Sequence, residues 1–155
     1  MADLRLILVQ HGLAETPDEG GEPELTALGR AEVRRMARCA MASGVSAQRL
    51  LHSGKLRAAQ TADIFSAALH PSRSVDVVAG LAPKDDPGPI GELLEGEHGE
   101  LLIVGHLPHL AGLAGLLLAG DAAARPIAFR NAGMVCIERV EDVWSLRWAM
   151  VPELL

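Results

Sequence analysis

Short, wholly apolar runs alternate along this chain with longer segments whose apolar residues return every three or four positions. Leu4-Arg5-Leu6-Ile7-Leu8-Val9 is broken only by Arg5 and ends at the glycine turn of Gly12. A run of this kind is the pattern of a strand buried on both faces of a covered sheet. Leu101-Leu102-Ile103-Val104 has the same character, and Arg49 to Ser53 and Val75 to Val78 read as two further strands, the last a weak one. Between them Thr26 caps a predicted helix that runs to about Ser43 and ends at Gly44. Ala27, Ala31, Met36, Ala40 and Met41 are available for its inner face, and Arg30, Arg34, Arg35 and Arg38 for the solvent. Lys55 to Ala68, with an alanine-rich stripe, reads as a second helix, Ile90 to Leu94 as a short one, and Pro108 opens another. The stretch Glu15 to Glu24 carries Pro17, Gly20, Gly21 and Pro23 and is a connection. Met134 to Val140 and Val143 to Met150 flank Glu141-Asp142 as a terminal hairpin, with Trp144 and Trp148 expected on one face.

Strands alternating with helices predict an α/β fold: a three-layer sandwich with a mostly parallel central sheet covered by helices on both faces. No boundary or repeat divides residues 1–155, so one domain is expected. In such sheets ligands bind at the carboxyl ends of the strands. Three polar turns fall there: Gln10-His11-Gly12, His52-Ser53-Gly54 and Gly105-His106-Leu107.

Composition narrows the function classes. The chain is 49% hydrophobic but only 3% aromatic, so its core is aliphatic. A net charge of −6 argues against nucleic acid or an anionic membrane as partner, so any anion site must be local. Cys39 and Cys136 lack metal-type spacing and read as two buried thiols of a reducing, cytoplasmic compartment. The apolar runs are too short for a membrane span, and none fits a signal peptide.

A single histidine after a strand says little. The combination of strand-His11-Gly12, Leu56-Arg57-Ala58-Ala59-Gln60-Thr61 opening one helix and Gly105-His106-Leu107-Pro108 opening another says more, because all three meet at one edge. With Leu25-Thr26, Gly29 and His52-Ser53 in the same order, the chain resembles the histidine phosphatase superfamily, the phosphoglycerate mutase-like proteins, and within it the short bacterial phosphohistidine phosphatases of the SixA type.

That resemblance implies roles. His11 would attack phosphorus through a neutral ring nitrogen and form a phosphohistidine that water hydrolyses. Arg57 would grip phosphate oxygens with its planar fork, and His106 would donate to the phosphoryl group as charge builds. Gln10, Gly12 and the amides around Leu107 would complete the phosphate pocket. No metal or cofactor is needed: His106 and His109 could be imagined with His11 or His52, but no supporting ligand stands near them in sequence.

Two departures stand out. The arginine usual before the nucleophile is Gln10, which removes a positive charge but keeps two amide donors. The acidic or asparagine residue often found two positions after it is Leu13. No general acid is evident, although Asp85, Asp86 and Glu92 lie in the loop region where one would be sought. A site without an acid can still expel a good leaving group such as an imidazole, which favours phosphohistidine in a partner protein over an ordinary alkyl phosphate. The expected partner is therefore a phosphohistidine domain or a small phosphorylated substrate. The alternatives are a small-molecule phosphomonoesterase and a weakened module that binds phospho-ligands without turnover.

Overall fold

The computed structural model describes residues 1–155. Its strands are β1 (Leu4–Gln10), β2 (Ala14–Glu15), β3 (Glu24–Leu25), β4 (Arg49–His52), β5 (Ser74–Val77), β6 (Gly99–Gly105), β7 (Met134–Val140) and β8 (Val143–Met150). The helices are α1 (Ala27–Ala42), α2 (Leu56–Leu69), α3 (Gly88–Glu95) and α4 (His109–Ala119), with a final 3-10 turn at Pro152–Leu154.

The apolar runs form the middle of a six-stranded sheet in the order β5-β4-β6-β1-β7-β8. β5, β4, β6 and β1 pair in parallel, and β7 and β8 add an antiparallel edge. Because side chains alternate along a strand, each central strand feeds two cores. Ile7, Val9, Leu102 and Val104 pack under α1 and α2 with Val33, Met36, Ala58 and Phe65. Leu6, Leu8, Leu101 and Ile103 pack on the other side against Ile90, Leu94, Leu110 and Leu113 of α3 and α4. Each of these Val, Leu, Ile, Met and Phe side chains, fully withdrawn from water, contributes about 1.5–3 kcal/mol. This is the covered, mostly parallel sandwich expected from the pattern.

Three expectations need correction. Ala27, Ala31 and Met41 are exposed, and the buried stripe of α1 is Gly29, Glu32, Val33, Met36, Ala37 and Ala40. Val33, Met36, Ala37 and Ala40 form the apolar row of that stripe, and Glu32, on the same side, meets Arg130 at 2.7 Å. Trp144 and Trp148 do not share a face: Trp148 packs with the α1/α2 core and Trp144 with the α3/α4 core. A bulge skips Arg147 where Cys136 pairs with Trp148 and Ile137 with Leu146, and one extra residue reverses the alternation. The connection after His11 is also not wholly irregular, since its ends pair as β2 and β3.

Candidate active site

Because β4, β6 and β1 are parallel neighbours, the residues just beyond each carboxyl end meet: Ser53, His106 and His11. The N–H of His11 donates to the carbonyl of Gly105 at 3.1 Å, so the backbone at His11 extends the sheet by one bond.

The side chain of His11 has one defined tautomer. Its Nδ1 lies 2.7 Å from the carbonyl oxygen of Gly12. A carbonyl can only accept, so Nδ1 carries the proton and Nε2 the lone pair. Arg57, in the first turn of α2, donates from Nε toward that lone pair at 3.4 Å. Burial chiefly holds the His11 pKa below its ordinary value; the Gly12 hydrogen bond raises it, and the Arg57 charge lowers it again. The ring is therefore neutral at neutral pH.

The His11–Gly12 peptide is held from two sides. Asn131 Nδ2 donates to the carbonyl of His11 at 2.9 Å, and the N–H of Gly12 donates to Thr61 Oγ1 at 3.1 Å. Thr61, fully buried, donates in turn to the carbonyl of Arg57 at 2.8 Å. Arg130, beside Asn131, is anchored by Glu32 and Glu153, each at 2.7 Å. Gly12 is glycine for want of room: a Cβ there would lie 2.7 Å from a Val33 methyl.

His106 is almost wholly buried, with its ring centroid 5.0 Å from that of His11. Its Nε2 is 2.6 Å from Ser53 Oγ, while Nδ1 has no partner. Burial first, then the charges of His11, Arg57, Lys55 and His109, hold its pKa down to about 3. Gln10 is buried at the end of β1 with Oε1 unpartnered. Leu107, 39% exposed, presents an N–H with no acceptor inside the chain.

Among the sequence candidates, His11, Gly12, Arg57 and His106 are therefore together, with Gln10 and Leu107 adjoining them in the chain. The three candidate acids have other partners. Asp85 and Asp86 accept from the amides of Ala82 and Gly88 in their own loop, and their charges act on His109. Glu92 lines a cavity with Met1 and Arg139 at the opposite edge of the sheet. His109 is buried and belongs to the wall of α4, while His70 and His98 are exposed, as expected. Ser53, Thr61 and Asn131 add contacts that the sequence does not announce. Ser53 and Thr61 fall within motifs already conspicuous in the sequence, but nothing in the sequence around Asn131 signals its reach of 120 residues back to His11.

A neutral imidazole with a free lone pair, an arginine beside it and a second neutral imidazole can attack, hold and neutralise a tetrahedral anion. Residues 6–82 match the model of the histidine phosphatase superfamily, branch 1. An uncharacterized protein of Picosynechococcus sp. is 30% identical over 142 residues, covering 85% of this chain and 83% of that one. The structure of the protein histidine phosphatase SixA complexed with tungstate is 27% identical, with a TM-score of 0.85 and coverage of 97% and 98% of the two chains. An alpha-ribazole phosphatase from Shigella flexneri shares the fold at 18% identity, with a TM-score of 0.75 over 92% and 94% of the chains. Fold and site together define a phosphatase of the hydrolase class. The chain belongs to the histidine phosphatase superfamily, and within it is SixA-like.

Proposed function

We propose that residues 1–155 form one histidine phosphatase domain that hydrolyses phosphohistidine in a partner protein, with His11 as the nucleophile. The observation that carries this reading is the lone pair of His11 Nε2, oriented by the Gly12 carbonyl and faced by Arg57.

His11 Nε2 attacks phosphorus in line, forming a new P–N bond as the bond from phosphorus to the substrate's imidazole breaks. The released imidazole takes a proton from solvent. Water then attacks the phosphohistidine, the P–Nε2 bond breaks with its electrons returning to His11, and phosphate leaves. Arg57 neutralises equatorial oxygens through each step. Leu107 N–H and the Gln10 amide donate to the same oxygens, and His106 supplies its ring as a further donor. Asp85 and Asp86 are engaged by amides of their own loop and Glu92 lines a cavity with Met1 and Arg139, so none of the three bonds His11, which favours leaving groups that need no enzymic acid. That is the reason to place phosphohistidine ahead of alkyl esters. The two cysteines are free thiols, which suits a cytoplasmic protein, and no helix is long and apolar enough to cross a membrane.

The test is single-turnover phosphate release from a phosphohistidine-bearing protein domain and from an aryl phosphate. Turnover of the first that disappears in His11→Ala is expected. Undiminished turnover in that variant overturns the mechanism, and binding without turnover by the intact protein supports the non-catalytic module instead.

A further inference from the structure

The outer face of α1 is cationic without an internal partner. Arg30, Arg34 and Arg38 follow one another at four-residue spacing, with Arg35 beside them, and none forms a salt bridge. The arginines that do form ion pairs are Arg5, Arg49, Arg130 and Arg147, all on other elements. The single acid of α1, Glu32, is buried and turned toward Arg130. Like charges one helical turn apart destabilise a helix, so this row costs stability and receives nothing from the fold in return. It stands out in a chain of net charge −6.

A groove runs beside the row. Ala37 and Met41 of α1 face Ile64, Ala67 and Ala68 of α2 across a cavity of about 380 Å³ walled by Arg34 and Arg38, with no carboxylate in its lining. Met41 is 54% exposed there. Both helices begin at the candidate active site. The start of α1 lies against the nucleophile's loop, where Thr26 N–H donates to Leu13, and the start of α2 carries Arg57. The groove lies along the later turns of both helices, on the face that descends from that edge.

An apolar floor with guanidinium walls has one complementary occupant: an amphipathic helix with small aliphatic residues on one face and carboxylates flanking them. We infer that the α1/α2 groove docks an acidic amphipathic helix of the phosphohistidine-bearing partner, presenting the modified residue to His11. This rests on the phosphohistidine reading above and adds to it the chemistry of the partner's surface. Nucleic acid fits less well, because the remainder of the chain is acidic and would repel a long polyanion.

The experiment compares two synthetic substrates: a short uncharged phosphohistidine peptide, and the same peptide joined by a flexible linker to a Glu/Leu amphipathic helix. In the wild type the helix should lower KM about tenfold with kcat unchanged, an advantage that shrinks as salt rises from 50 to 300 mM. Arg34→Glu/Arg38→Glu, or Ala67→Trp to fill the groove, should abolish that advantage while leaving the short peptide's kinetics and aryl phosphate hydrolysis unchanged. Equal KM values for the two peptides in the wild type overturn the proposal. So does equal competition by phosphatidylserine vesicles or single-stranded DNA, which would make the face a general polyanion surface. If aryl phosphate is hydrolysed but neither peptide is, the phosphohistidine reading falls and the docking proposal with it.

Discussion

Replacing Thr61 with valine tests whether the grip on the His11–Gly12 peptide is part of catalysis. The two side chains have nearly the same shape, so the change removes a hydroxyl without opening a cavity. Two bonds are lost. The carbonyl of Arg57 keeps its place in α2 and loses little. The N–H of Gly12 is buried and has Thr61 Oγ1 as its acceptor, so it is left unsatisfied. An orphaned buried donor costs about 1–3 kcal/mol. Spent only on the folded state, that lowers Tm by a few degrees and leaves kcat alone, since about 2–4 °C accompanies each kcal/mol in a chain of this size. The geometry predicts a second effect. If the His11–Gly12 peptide tilts, the chain turns at the Gly12 Cα, the carbonyl of the following peptide loses its aim on His11 Nδ1, now 2.7 Å away, and the lone pair on Nε2 is no longer oriented. Expressed in the transition state, about 1–3 kcal/mol is a loss of roughly 5- to 150-fold in kcat. Thr61→Ser, which keeps the oxygen, should recover most of that loss. The assay pairs kcat and KM with the ¹⁵N shifts of His11, which report the tautomer directly. A Thr61→Val protein that melts lower but keeps its kcat within twofold and its tautomer unchanged would refute the reasoning.

Two predictions concern pH. His11 must be neutral to attack, and burial lowers its pKa, so kcat/KM should stay flat down through pH 6.5 and fall only below it. An acid limb at or above pH 6.5 would mean that His11 is not the titrating attacker. Stability should fall over a related window. His11, His52, His106 and His109 all have folded-state values below 6.5, in each case chiefly through burial. Below pH 6.5 the unfolded chain takes up protons that the folded chain declines, so stability present above 6.5 is lost on acidification, for His106 until its own pKa of about 3. Urea midpoints measured from pH 8 to 4 should drop below 6.5, and the drop should be shallower in His106→Asn. An unchanged slope in that variant would assign the acid sensitivity to other groups.

The strands, the helices and the edge where they converge were legible in the sequence because each rests on local physics. A run such as Leu101 to Val104 is apolar on both faces and can be stable only between two layers. His11, Arg57 and His106 could be gathered from their motifs because parallel strands bring all their carboxyl ends to one side. What local pattern could not decide was the facing of α1, whose inward Glu32 finds its partner in Arg130, 98 residues away in the chain. Nor could it decide the faces of Trp144 and Trp148, which turn on one skipped residue at a bulge. The tautomer of His11 depends on where the Gly12 carbonyl points. The peptide just before it is held by Thr61 and Asn131, brought from α2 and from the segment before β7. The identities of the candidate reacting groups are written in the chain. Their protonation and aim depend on burial and on bonds between distant segments, which exist only once the sheet has assembled.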